Sequence, residues 1–120
     1  MTINEYQKLA VKTRNVELSP KATLQDGIMG LNGEAGECID ILKKHLFQNH
    51  NLDCEHIARE LGDVAWYLAL TAYAIGYDLE TILRMNIEKI QARYPNGFVS
   101  ERSINREKDD IRWDLIAGLR

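Results

Sequence analysis

Between about residue 22 and Tyr94 the apolar residues of this chain recur every three or four positions, and that period admits helices and little else. The clearest run covers residues 54 to 76, where Ile57, Leu61, Val64, Ala65, Leu68, Ala72 and Ile75 fall on one stripe. Asp53 is placed to cap its start and Gly76 to close its end. Residues 22 to about 47 repeat in the same way through Ile28, Leu31, Ala35, Cys38, Ile39, Leu42 and Leu46. The polar stretch Gln48-Asn49-His50-Asn51 reads as the loop between these two helices. Asp78 opens a further helix to about Tyr94, with Leu79, Ile82, Leu83, Ile87 and Ile90 inward, and Pro95-Asn96-Gly97 stops it. Residues 3 to 16 form a short amphipathic segment at helical spacing, and Ser19-Pro20 either ends it or starts the next element.

Strand patterns are nearly absent, and short loops between helices make sequential helices antiparallel neighbours. The expected fold is all-α, an antiparallel bundle of about four main helices over residues 1–97. Residues 98–120 form a charged extension that packs on the same domain or on a neighbouring subunit. A short helix near 107 to 118 is expected there, and Trp113 covers either a pocket or a neighbouring copy. Four helices in so short a chain leave apolar faces to cover, so a homodimer or homotetramer formed through helix faces is expected.

An apolar fraction of 45% and a charged fraction of 28% suit a single globular domain with a real core. The net charge of −3 gives no general attraction to a nucleic-acid polymer or to an acidic membrane, so an anionic ligand needs local cations or a metal. No apolar run reaches the ~20 residues that cross a bilayer. Cys38 and Cys54 are too few for a disulfide framework, and no secretory signal is recognisable. Two reduced thiols in a cytoplasmic protein are the expectation.

Two acidic pairs stand out, Glu34-x-x-Glu37 and Glu60-x-x-Asp63, on consecutive helices. Spacing of i, i+3 sets each pair on one helix face one turn apart, where uncompensated like charges destabilise the helix. Either these are solvated faces, or four carboxylates converge on divalent cations. Both pairs lie about 110° from the centre of their helix's apolar stripe, at its shoulder, and Tyr67 shares the face of Glu60 and Asp63. Lys44 falls near the line of the first pair. Asn86, Lys89 and Arg93 share a face of the fourth helix, with Asn86 inside its apolar stripe, where a polar group needs partners. Two cations aligned with it make a phosphate clamp, Lys89 as a point charge and Arg93 as a planar fork.

Gly27, Gly30, Gly33 and Gly36 recur every third residue in the second helix. Each costs about 1 kcal/mol relative to Ala in a helix interior. Either another helix or a ligand approaches closely here, or Gly27 and Gly30 lie in a loop and the helix begins later. His45, His50 and His56 show no metal-site pattern, and Asp53-x-x-His56 is better explained by Asp53 as a cap.

Four carboxylates could hold Mg²⁺ together with a substrate's phosphates. With no Ser–His or Cys–His pairing evident, a metal-activated water is the natural nucleophile, and a carboxylate not committed to metal could be its general base. In order, Gly33-Glu34-Ala35-Gly36-Glu37, then Glu60-Leu61-Gly62-Asp63, then Asn86-x-x-Lys89-x-x-x-Arg93-Tyr94-Pro95 resemble the MazG-like, all-α nucleoside triphosphate pyrophosphohydrolases over roughly residues 25 to 97. The resemblance implies hydrolysis of a nucleoside triphosphate to the monophosphate and pyrophosphate, with Mg²⁺ or Mn²⁺, by a dimer or tetramer. It implies that Glu34, Glu37, Glu60 and Asp63 are the metal-binding and catalytic carboxylates. It also implies that Asn86, Lys89 and Arg93 face the phosphates or pocket, with Lys44 a further phosphate candidate and Tyr67 near the nucleotide. Many relatives begin the first motif with paired glutamates, and here Gly33 stands before Glu34. That form resembles the smaller relatives acting on deoxynucleotides, deoxycytidine triphosphate pyrophosphatases among them, and it bears on the number of ions and on which group activates water. Two other readings are a non-catalytic helical interaction module and a hydrolase of another phosphorylated substrate such as a phosphoribosyl nucleotide.

Overall fold

The computed structural model describes residues 1–106, and the helix expected near 107 to 118, with Trp113, lies outside them. Among the described residues the chain is all-helical. Helices α1 (Ile3–Val11), α2 (Pro20–Phe47), α3 (Cys54–Ala74), α4 (Leu79–Arg93) and α5 (Ser100–Ile104) follow in order, with one isolated bridge between Pro95 and Gly97 and no strand. The chain divides into two compact units, Met1–Glu80 and the residues from Thr81 onward.

Local chemistry sets the element ends in the first unit. A reciprocal capping box starts α1: the Glu5 N–H donates to Thr2 Oγ1 at 3.1 Å, and the Thr2 N–H donates to Glu5 Oε2 at 2.9 Å. This helix stops at Val11, short of the expected residue 16. The N–H groups of Thr13 and Arg14 turn back to Ala10 and Val11, and both side chains donate to the same two carbonyls. Ser19 caps α2 by accepting from the Ala22 N–H, and Pro20 takes the first-turn position where no donor is needed. Helix α2 therefore runs unbroken through all four glycines, which excludes a late start.

Asp53 caps α3 as expected, its Oδ1 accepting from the His56 N–H at 2.9 Å. At the other end Gly76 adopts φ +80. The Gly76 N–H reaches Tyr73 O and the Tyr77 N–H reaches Ala72 O, the paired bonds of a Schellman close. The chain turns from there into α4, whose first N–H groups at Leu79 and Glu80 donate to Gln7 Oε1 (2.8 Å) and Asn4 Oδ1 (3.1 Å) on α1. Buried Gln7 also donates to the carbonyls of Ala69 and Tyr77. One side chain thus ties α1, the end of α3 and the start of α4 together.

Ala10, Ala69 and Leu79 form the core, with Tyr6, Trp66 and Leu68 packed against it. Helix α2 contributes differently from the expectation. Its buried residues are Thr23, Gly27 and Ile41, which with Gly30 and Glu34 span an arc of roughly 60°. The apolar stripe lies about 105° away and stays exposed at Ile28, Ile39, Leu42 and Leu46. The inward face of α2 is the line of Thr23, Gly27, Gly30, Glu34 and Ile41, and at its two glycines α3 approaches too closely for a side chain.

In the second unit α4 carries Asn86, Lys89 and Arg93. Asn86 is exposed, against the expectation of a place in a buried stripe, and Ile87 and Ile90 beside it are exposed too. The Arg93 guanidinium lies 6.0 Å from the Tyr94 ring, which in turn meets Phe98 at 5.4 Å. Helix α5 was not foreseen in the charged tail.

Candidate metal centre

Two glycines set the register of the α2–α3 pair. A Cβ on Gly27 would collide with Thr71, whose Cα would lie 3.3 Å away, and a Cβ on Gly30 would fall inside the Tyr67 ring. The helices run antiparallel, so three or four residues forward on α2 match three or four back on α3. Beyond the Gly27–Thr71 and Gly30–Tyr67 rungs, the same register carries Glu34 to the face of Glu60 and Asp63. Glu34 therefore meets Glu60 and Asp63 across the interface because glycines upstream bring the two backbones together.

Glu34, Glu60 and Asp63 each offer one carboxylate oxygen, and the three oxygens lie within 4.8 Å of one another. Glu34 and Glu60 are half-buried and Asp63 is exposed. A proton shared with Glu60 holds the Glu34 carboxyl above the usual range, and desolvation and the charges of Asp63, Glu60 and Glu37 add to the rise. Tyr67 lies on the neighbouring rung, its ring against Gly30 and edge-on to Trp66 at 4.9 Å. Burial raises its phenol, and Asp26, Glu34 and Asp63 push it further the same way. The Trp66 indole N–H donates to Thr13 Oγ1 at 2.8 Å, which fixes the neighbouring ring from the α1 side.

Glu37 stands apart from the three-carboxylate set. It lines a cavity of about 350 Å³ with Asp40, Ile41, Lys44, His50, Asn51, Asp53 and His56. Lys44 is engaged there: its ammonium pairs with Asp40 at 2.9 Å, which raises the lysine and lowers the carboxyl. Asp40 is thus the partner that holds Lys44 at the cavity. Asn86, Lys89 and Arg93 belong to the second unit and are placed on α4 as the spacing required.

The model of the MazG nucleotide pyrophosphohydrolase domain matches residues 22–98. The chain belongs to the MazG family. It is also 35% identical over 82 residues to the gene 37 protein of Mycobacterium phage L5, a match covering 65% of this chain and 72% of the phage protein. No solved structure matches it significantly. The matched segment takes in α2, α3, α4 and the turn after it, so both acidic pairs and the Asn86, Lys89, Arg93 face lie inside the MazG domain.

The residues present fit a divalent cation. The donors are all oxygen, which hard ions such as Mg²⁺ prefer. The hydrogen bond with Glu60, desolvation and the neighbouring charges that raise Glu34 all disfavour its ionised form, which an added cation would favour. Sequence reasoning missed His56 as a neighbour of this centre. Its Nε2 lies 3.1 Å from Glu60 Oε1, and the signal available was the i, i+4 spacing of His56 and Glu60. No helix among the described residues is long and apolar enough to cross a membrane.

Proposed function

We propose that this MazG-family chain is a Mg²⁺-dependent nucleotide pyrophosphohydrolase that converts a (d)NTP to the (d)NMP and pyrophosphate. The convergence of Glu34, Glu60 and Asp63 across the α2–α3 interface carries the reading. These three hold the ion, Mg²⁺ or Mn²⁺, with Glu37 as the fourth carboxylate beside them. When bound, the ion neutralises phosphate charge and lowers the pKa of a coordinated water. Glu37, exposed and outside the three-oxygen set, is the carboxylate left to take the proton from the attacking water. Attack falls between the α- and β-phosphates.

Asn86, Lys89 and Arg93 bind the phosphates, Arg93 through its fork, and Lys44 is a further phosphate contact at the cavity. Tyr67, held against Gly30 next to the carboxylates, faces the nucleotide. The exposed apolar stripe of α2 supports self-association as a homodimer or homotetramer. The test is incubation with each canonical and modified (d)NTP plus Mg²⁺, with products resolved by chromatography. Monophosphate and pyrophosphate are expected; diphosphate with orthophosphate, or no turnover of any nucleotide, contradicts the proposal.

A further inference from the structure

His56 sits one turn before Glu60 on α3. Its backbone N–H donates to Asp53, so the helix start is secured without the imidazole. The ring makes a separate contact, Nε2 to Glu60 Oε1 at 3.1 Å. The tautomer with its hydrogen on Nε2 donates to the carboxylate in this contact. The Glu60 side chain is 15% exposed and the imidazole 49% exposed. The ring therefore stands on the outer side of Glu60, on the wall of the cavity that Glu37 also lines.

We infer that His56 is a positioning residue for the cation centre, its Nε2–H holding one oxygen of Glu60 so that the carboxylate stays gathered with Glu34 and Asp63. The physical need is plain in the geometry. Glu60 faces two other carboxylates, and its flexible side chain would otherwise swing away from them into solvent. A donor on its outer side holds it in place at no cost to the helix, because residues four apart meet on one face. Partners that orient metal ligands in this way change metal affinity about 10–100-fold when removed. A half-exposed imidazole belongs at the lower end of that range.

The inference rests on the cation centre proposed above, and the experiment separates the two. Mn²⁺ binding to the full chain is followed by the electron paramagnetic resonance of free Mn²⁺, without nucleotide, for the native protein, His56→Ala and His56→Gln. Circular dichroism checks that helix content is kept. His56→Ala should weaken Mn²⁺ binding about tenfold, and His56→Gln, whose amide N–H can reach Glu60, should recover most of it. Native-like affinity in His56→Ala, or equal weakening in both variants, overturns the role of His56 alone. A native chain that binds no Mn²⁺ overturns the cation centre and this role with it.

Discussion

The two ends of the α2–α3 interface are built on opposite principles. At one end Gly27 and Gly30 leave no room for a side chain, and Thr71 and Tyr67 fill the space. At the other end Glu34 meets Glu60 and Asp63 across the interface, while Gly33 and Gly36 beside it have nothing within 4 Å. The close end gains packing and gives up helix propensity. The charged end gathers carboxylates, and the Glu34 carboxyl there is raised by its hydrogen bond with Glu60, by desolvation and by the neighbouring charges. One end fixes the spacing that the other end uses, so the acidic residues tolerate proximity because packing elsewhere imposes it.

The largest expected effect is at the charged end. Asp63→Ala or Glu60→Ala should lower nucleotide turnover at least about a hundredfold, since several kcal/mol of charge stabilisation would rest on the ion they hold. Circular dichroism should show the helices intact, and turnover within about threefold of native would remove these residues from the site. The close end should respond in stability instead. Gly30→Val forces a branched side chain into the Tyr67 ring and should cost about 1–3 kcal/mol in chemical denaturation. Gly33→Ala, with open space around it, should stabilise by up to about 1 kcal/mol through helix propensity alone. If the two substitutions shift stability in the same direction, the contrast between the ends fails.

A smaller effect separates charge from packing. The folded-state pKa of Glu34 lies above its unfolded value, so its contribution to stability is present at low pH and lost as pH rises through the raised value. Glu34→Gln should therefore melt higher than the native chain at neutral pH in the absence of divalent ions. The gap should close as the pH falls below the unfolded glutamate range. A gap independent of pH would show that ionisation of Glu34 is not its cause.

Much of this was legible in the sequence, for reasons specific to particular residues. Asp53 and Gly76 act locally, through a cap and a left-handed turn, so their roles needed no tertiary knowledge. The acidic pairs announced themselves because like charges one turn apart oppose the helix. The inward face of α2 was misread because periodicity ranks residues by hydrophobicity, whereas α3 approaches along the line of Gly27 and Gly30, which periodicity does not weigh. That same line places Glu34 at the interface and not at its shoulder. The end of α1 at Val11 depends on side-chain bonds from Thr13 and Arg14 that compete with the helix. The exposure of Asn86 depends on which residues of α4 are covered, which spacing alone does not encode. Glu37 shares the i, i+3 face of Glu34 yet falls outside the three-carboxylate set, which was visible only in three dimensions.

The central claim is that the charged end of this interface is a cation centre, and thermal unfolding across a Mg²⁺ titration tests it directly. The native chain should gain stability as RT ln(1 + [Mg²⁺]/Kd), about 2.7 kcal/mol at a hundred times Kd, while Asp63→Asn should gain far less over the same range. Equal Mg²⁺-induced shifts in the two proteins, or no shift in the native chain, would contradict it.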